Sequence, residues 1–322
     1  MSETPERIAS PPPALPGSSI LFGPGGLRPG WAFLIFACLV YLLMMLCSAF
    51  VAPYLHIDHN QPIAPSSAYL LELSQFVPVL VATAMMALFE RRPLLFYGYQ
   101  GRARALRFLS GCFWGFIAIS VAVLLLSKMG YLVLNGRVLG GASALRYGVQ
   151  WGGLFLLVGF TEESMFRGYA QFTLTRGRGF WWSAILLAIP FGLLHSTNGG
   201  ESLVGLLAVG AVSLVFCLSL WYTGSLWWAV GFHAAWDWGQ SFFYGTADSG
   251  LVAQGHLFAE HARGPALWSG GATGPEGSIV VVPLLLVIAG LMILWWGRPA
   301  HHARGEQPFR RMAWRPGALP PS

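Results

Sequence analysis

Charge is what this sequence has least of. Only 10% of its 322 residues are charged, whereas 55% are hydrophobic and the mean hydropathy is +0.58. This composition excludes an intrinsically disordered chain and an ordinary soluble domain. Because the apolar runs are continuous rather than alternating, they predict helices and not the strands of a barrel. The predicted fold class is therefore all-α, a polytopic membrane protein.

Cysteine is also scarce. The four cysteines, Cys38, Cys47, Cys112 and Cys217, all fall inside apolar runs. A free cysteine in such a run behaves as a small hydrophobic residue. The spacing indicates neither a disulfide framework nor a metal-binding motif.

Eight apolar runs are long enough to cross a hydrocarbon layer of about 30 Å. They cover approximately residues 31–51, 69–89, 108–126, 147–172, 180–195, 203–222, 226–244 and 279–296. The predicted organisation is a flexible cytoplasmic tail over 1–30, a membrane domain over 31–297 and a basic cytoplasmic tail over 298–322. The longest loop, 245–278, is rich in glycine and is expected outside.

The distribution of basic residues predicts that both termini are cytoplasmic, because Lys and Arg collect on the cytoplasmic side of membrane proteins. With the N-terminus inside, fourteen basic residues lie inside and four outside, the four being Lys128, Arg137, Arg146 and Arg263. This rule and anionic lipid account for the net charge of +6, so the charge does not indicate nucleic-acid binding. We expect an integral protein of the plasma membrane.

Few ionisable residues interrupt the spans, and an ionised group at a membrane centre costs about 2.5 to 3.5 kcal/mol on insertion scales. Glu72 lies nearer the end of the second span. The fourth, fifth and seventh spans hold the others, namely Glu162, Glu163 and Arg167, then His195, then His233 and Asp237.

Helical spacing sorts these residues into pairs. Glu163 and Arg167 are four residues apart and should meet on one face, and Glu162, about 100° around the helix, should be left free. His233 and Asp237 have the same spacing, so the carboxylate can orient or charge the imidazole. Phe191 and His195 likewise share a face.

Each feature also has a structural interpretation. The Glu163–Arg167 pair favours a structural clamp over a catalyst, and a lone histidine can serve as an interhelical hydrogen-bond partner. Buried acids can equally form the proton path of a transporter, although a transporter should carry polar groups in both halves. In this chain they concentrate in one half.

Taken together, the motifs resemble the CAAX-protease and bacteriocin-processing (Abi) family of intramembrane endopeptidases. The resemblance covers about residues 145–245 and rests on Glu-Glu-x-x-x-Arg, Phe-x-x-x-His and His-x-x-x-Asp. It implies that Glu162 and His195 activate a water, that His233 and Asp237 stabilise the oxyanion, and that no cofactor is required. Glu163, Arg167 and Phe191 then support the site.

Two questions stay open at this stage. Better-studied family members carry Asn where this chain has Asp237, which allows a protonated Asp237, a charged His233, or a divalent metal such as zinc held by Glu162, His195, His233 and Asp237. The depths of Glu162 and His195 also differ in a simple topology, and a tilt, a broken helix or a partly buried turn at 176–179 could reconcile them.

The resemblance implies a peptide or lipidated protein as substrate and the bilayer as the environment. Eukaryotic relatives remove the last three residues of prenylated CAAX proteins, and bacterial relatives are linked with peptide processing, immunity to bacteriocins and scaffolding. A catalytically silent scaffold or immunity protein is therefore the main alternative to an active peptidase. A proton-coupled transporter is the second.

Overall fold

The structure is a computed structural model that describes residues 20–23, 26–55, 61–197 and 202–297. Most of the predicted N-terminal tail and all of the C-terminal tail lie outside these ranges. In the described part of the N-terminal segment, two short strands, β1 (Phe22–Gly23) and β2 (Gly26–Leu27), pair antiparallel. The first helix then begins at Pro29, where the proline supplies a favourable first helical residue.

The rest of the chain is mainly helical. The helices are α1 (Pro29–Val51), α2 (Pro65–Phe89), α3 (Arg104–Lys128), α4 (Gly141–Glu163), α5 (Gln171–Arg178), α6 (Phe180–Leu194), α7 (Leu203–Thr223), α8 (Trp227–Asp237), α9 (Ala266–Ser269) and α10 (Val281–Trp296). Two π-helical segments, Ser164–Ala170 and Trp238–Tyr244, continue α4 and α8. The predicted helical membrane protein is confirmed.

Five of the described helical stretches are long and apolar enough to cross a membrane: those containing α1, α2, α3, α6 and α7. α10 is apolar but shorter. The two remaining predicted spans contain α4 and α8, which carry the acidic residues Glu162, Glu163 and Asp237. Length and composition therefore support five spans, and the number eight remains a prediction.

The helical stretch that contains the fourth predicted span, 147–172, extends beyond both of its ends. The helix begins earlier, at Gly141, and the chain stays helical through the π-segment and α5 to Arg178. Gly168 has non-helical angles (φ −80°, ψ −121°), so the stretch is bent inside the π-segment. Apolar periodicity missed the start of the helix, because residues 141–146 include Gly141, Ser143 and Arg146.

Buried side chains form two large clusters. One gathers residues of α3, α7, α8 and α10 around Phe232 and Trp236. The other joins α1, α2, the first π-segment and α6 around Tyr169 and Phe191. The side chains between these clusters line the cavity described below.

Glycines bring α3 and α8 unusually close together. A Cβ at Gly111 would overlap the carbonyl oxygen of Trp228, and a Cβ at Gly231 would overlap that of Phe108. Small residues allow such close approach of membrane helices. This packing holds α8, and with it His233 and Asp237, against α3.

The glycine-rich segment 245–278, predicted as a long loop outside the membrane, contains regular structure. β4 (Phe258–Ala262) lies within it and pairs antiparallel with β3 (Leu132–Arg137), with an irregularity between Leu134 and Gly136. The segment is also tied to the helices, since the indole of Trp151 donates to the carbonyl of Gln254 at 2.9 Å. Part of this segment therefore covers one end of the helical domain.

Candidate active site

The described helices enclose a cavity of about 490 Å³. Its wall includes all four residues predicted to be catalytic, Glu162, His195, His233 and Asp237. Glu162 is the second-last residue of α4, His195 directly follows α6, and His233 and Asp237 lie on α8. Three separate parts of the chain thus place ionisable groups around one space.

Glu162 and His195 lie on two helical arms that meet at a turn. α5 and α6 are joined at Gly179, which has a positive φ of 83° and forms the turn. Glu162 precedes the end of α5 at Arg178 by sixteen residues, and His195 follows the start of α6 at Phe180 by fifteen. The two residues are therefore nearly equidistant from the turn along neighbouring arms, and the sequence alternative of a broken helix is confirmed by the π-segment.

Glu163 is the centre of a buried charge network. Its Oε1 accepts from Arg167 Nη1 at 3.2 Å, which confirms the predicted pair. The same oxygen accepts from His233 Nδ1 at 3.1 Å. Glu163 and Arg167 have relative exposures of only 0% and 1%, so the network lies away from water. The carboxylate is thus a clamp that also fixes the imidazole of His233.

Aromatic rings enclose the remainder of this network. The guanidinium of Arg167 lies 4.0 Å from the centre of the Phe191 ring, a cation–π contact. Phe216 stacks on His233 with ring centres 5.5 Å apart. The buried Phe191 therefore supports Arg167, as its predicted supporting role requires.

The other nitrogen of His233 faces two carboxylates. His233 Nε2 lies 3.5 Å from Asp237 Oδ2 and 3.7 Å from Glu162 Oε2. Glu162 has no hydrogen-bond partner at this oxygen among the described residues, and the imidazole of His233 on α8 approaches it without a hydrogen bond. The oxygen is nevertheless buried.

His195 stands apart from this group while lining the same cavity. Its Nδ1 lies 2.8 Å from the carbonyl oxygen of Phe191, and its ring is 5.2 Å from the Phe191 ring. A carbonyl can only accept, so Nδ1 is the donor. In the neutral ring Nε2 then carries the lone pair.

Three further acidic residues line the cavity, and the sequence assigned none of them to the site. They are Glu72 on α2, and Asp248 and Glu276 in the covering segment. An acid inside an apolar run was a usable signal for Glu72. Asp248 and Glu276 lie in a glycine-rich stretch with no periodicity that could have indicated their position.

Asp248 is the first acidic residue that follows α8 in the sequence. Ser241 donates to its Oδ2 at 2.8 Å. Burial, together with the charges of Asp237 and Glu276, holds the pKa of the Asp248 carboxyl well above its usual range. The acidic character of the cavity thus continues from Asp237 into the covering segment.

The divalent metal site that the sequence left open has no preformed ligand cluster in the described residues and stays a prediction. In residues 20–23, 26–55, 61–197 and 202–297, no group of three or more His, Cys, Asp or Glu side chains is arranged to hold a metal ion. Glu163 Oε1 is already shared by Arg167 and His233. All four cysteines are free and lie in α1, α3 and α7.

Residues 145–239 match a family model described as Rce1-like, type II CAAX prenyl endopeptidase Rce1-like. The segment is an Rce1-like domain, and the resemblance predicted from the three motifs is confirmed. All seven predicted site residues, from Glu162 to Asp237, fall within it. No curated protein matches the chain. Residues 145–239 are therefore similar to a CAAX-type membrane endopeptidase domain.

Proposed function

We propose that this protein is an intramembrane endopeptidase that hydrolyses a peptide bond of a membrane-associated or lipidated peptide. The observation that carries the proposal is that Glu162, His195, His233 and Asp237, distant in sequence, line a single cavity within a helical membrane domain. The Rce1-like match over the same residues supports the reaction class.

In this mechanism Glu162 and His195 activate the attacking water. Glu162 Oε2 has no hydrogen-bond partner among the described residues, and the Nδ1 contact leaves the lone pair of neutral His195 on Nε2. One of these groups removes a proton as the water oxygen bonds to the scissile carbonyl carbon. The proton then passes to the amine nitrogen as the C–N bond breaks, so the base returns to its starting state.

His233 and Asp237 are assigned to the oxyanion. His233 donates through Nδ1 to Glu163, which leaves Nε2 as the nitrogen that points toward Glu162 and Asp237. A protonated Nε2 can donate to the negative oxygen of the tetrahedral intermediate. Asp237, 3.5 Å away, orients the ring and keeps it charged. Glu163 and Arg167 are positioning residues in this scheme.

The walls of the cavity support an apolar substrate. Met44, Met165, Val209 and Leu285 face the same space as the ionisable groups. Methionine side chains adapt to irregular apolar ligands. A lipidated or membrane-embedded peptide would bury these apolar side chains, whereas a polar peptide would leave them exposed to water.

The test is cleavage by purified protein in detergent and in liposomes, with a fluorogenic peptide library made in prenylated and unprenylated versions. We expect cleavage by the wild type and none by Glu162→Ala. A well-folded wild type that cleaves no member of the library would support a second candidate, a catalytically silent scaffold. The buried ion pair between Glu163 and Arg167 favours that candidate, because it joins α4 to the π-segment and has a purely structural role.

A further inference from the structure

The cavity has a strongly one-sided charge. Five carboxylic acids line it, namely Glu72, Glu162, Asp237, Asp248 and Glu276, together with His195 and His233. Among the described residues of the wall, none is a lysine or an arginine. Arg167 lies behind the wall and is already paired with Glu163. The described wall thus offers acids and imidazoles but no lysine or arginine that could pair with them.

Glu72 and Glu162 are the two acids of the wall with a buried oxygen that lacks a hydrogen-bond partner among the described residues, and Glu162 is already assigned to the attacking water. The side chain of Glu72 lies on α2 with only 8% relative exposure, and its Oε1 is buried with no hydrogen-bond partner in the part of the chain that the structure describes. Thr161 is its hydroxyl neighbour. That hydroxyl has one proton and donates it to the carbonyl of Leu157 at 2.9 Å, so Thr161 can donate to Glu72 only by giving up that contact.

The two acids in the covering segment are different. Ser241 donates to Asp248, and both the backbone N–H and the hydroxyl of Ser249 donate to Glu276 Oε1, at 2.6 and 2.8 Å. Both of those carboxylates therefore accept hydrogen bonds from the protein itself. Glu72 faces the same cavity, and its Oε1 accepts no hydrogen bond from the described residues. A buried ionised group normally has a charged or hydrogen-bonding partner.

We propose that Glu72 forms a subsite for a cationic group of the substrate, an ammonium or guanidinium close to the scissile bond. This inference rests on the proposed function and names its substrate class: an apolar peptide with a Lys side chain, an Arg side chain or a free N-terminus near the cleavage point. The cation supplies the hydrogen-bond donors that Oε1 lacks. The surrounding carboxylates raise its local concentration before it reaches Glu72.

The experiment uses pairs of cleavable peptides that differ at one position, with lysine in one member and norleucine in the other. We expect the wild type to prefer the lysine peptide in kcat/KM at one position near the bond. Glu72→Gln should reduce that preference by about thirtyfold, because removing one member of a buried charge pair costs 2 kcal/mol or more. The norleucine peptide gives the reference rate for each variant, so the preference is a ratio within one protein. Glu260→Gln is the matched control, because Glu260 also has a buried unpaired oxygen but lies on β4 and not in the cavity.

Equal cleavage of both peptides by the wild type, or an undiminished preference in Glu72→Gln, would overturn the subsite and leave the peptidase intact. If no peptide is cleaved, the proposed function fails, and binding alone tests the subsite. In that case the lysine peptide should raise the melting temperature of the wild type more than the norleucine peptide does, and Glu72→Gln should abolish the difference. Stabilisation by zinc or magnesium alone that disappears in Glu72→Gln would mean a metal subsite and would also overturn the proposal.

Discussion

Glu163 Oε1 lies 3.1 Å from His233 Nδ1, although 70 residues separate the two in the chain. The contact joins the end of α4 to the middle of α8. Because the same oxygen also meets Arg167, the imidazole is held by a carboxylate whose own charge is balanced. His233 is thereby oriented with Nε2 toward Glu162 and Asp237.

We expect Glu162→Ala and His195→Ala each to lower kcat by at least about a hundredfold, which is the usual contribution of a general acid or base. Both variants should remain folded and inserted in the membrane. His261→Ala, on β4, is the control and should keep wild-type activity. The measurement is peptide cleavage beside size-exclusion chromatography in detergent. Near-normal turnover in either variant would remove it from the water-activating pair.

Glu163→Ala and Arg167→Ala should mainly destabilise the protein, because each leaves an opposite charge buried without its partner. Such losses amount to about 3 to 5 kcal/mol for buried pairs in general. The double replacement should cost less than the sum of the single ones. Thermal unfolding in detergent measures this, with the exposed Arg178→Ala as control. Wild-type stability of both single variants would contradict the clamp.

Asp237→Asn separates orientation from metal binding. If Asp237 orients His233 or donates to the oxyanion, the amide can still hydrogen-bond and substantial activity should remain. If Asp237 is a metal ligand, the neutral amide binds poorly, and chelators should inhibit the wild type with recovery on adding zinc. We expect the first result. An inactive Asp237→Asn combined with stoichiometric metal in the active wild type would reverse this assignment.

The close packing of α3 against α8 should be sensitive to one methyl group. Gly111→Ala would place a Cβ into the backbone of Trp228, so we expect a loss of about 1 to 3 kcal/mol, typical of overpacking, together with reduced cleavage as α8 shifts. Gly290→Ala on α10 is the matched control, because nothing lies within 4 Å of its added Cβ. It should be neutral or stabilising. Equal effects of the two substitutions would argue against the close approach.

Stability should depend on pH through Glu260, which lies on β4 outside the predicted spans. Burial raises the pKa of this carboxyl from 4.5 to about 7, so the folded protein favours the protonated form. The contribution of the Glu260 carboxyl to the free energy of unfolding is complete below pH 4.5 and is lost as the pH rises through 7. Glu260→Gln should therefore unfold at a higher temperature than the wild type at pH 8 and at a similar one at pH 4.5. A constant difference between these pH values would contradict the shifted titration.

Sequence periodicity predicted what lies within one helix. The Glu163–Arg167 and His233–Asp237 contacts follow from the four-residue spacing, and the structure contains both. Contacts between helices depend on their rotation and depth, which spacing does not contain. For this reason the meeting of Glu163 with His233, and the approach of Glu162 to the same ring, could not be predicted.

Irregular elements were missed for a different reason. The π-segment Ser164–Ala170 departs from the 3.6-residue period on which the prediction relied, and it changes the direction of the chain at Gly168. β3 and β4 are separated by more than a hundred residues, so no local turn signal connects them. The placement of Glu72, Asp248 and Glu276 around the cavity depends on these long-range contacts.

The number of residues on each side of the Gly179 turn fixes where Glu162 and His195 lie along their helices. One residue inserted into α5 or α6 would move that arm by about 1.5 Å and rotate its end by about 100°, and would thereby aim one of the two side chains away from the cavity. The same insertion between α3 and β3 would leave both arms in register. Tolerance to length changes should therefore be lowest between residues 162 and 195, where a change in length does more harm than many changes in side chain.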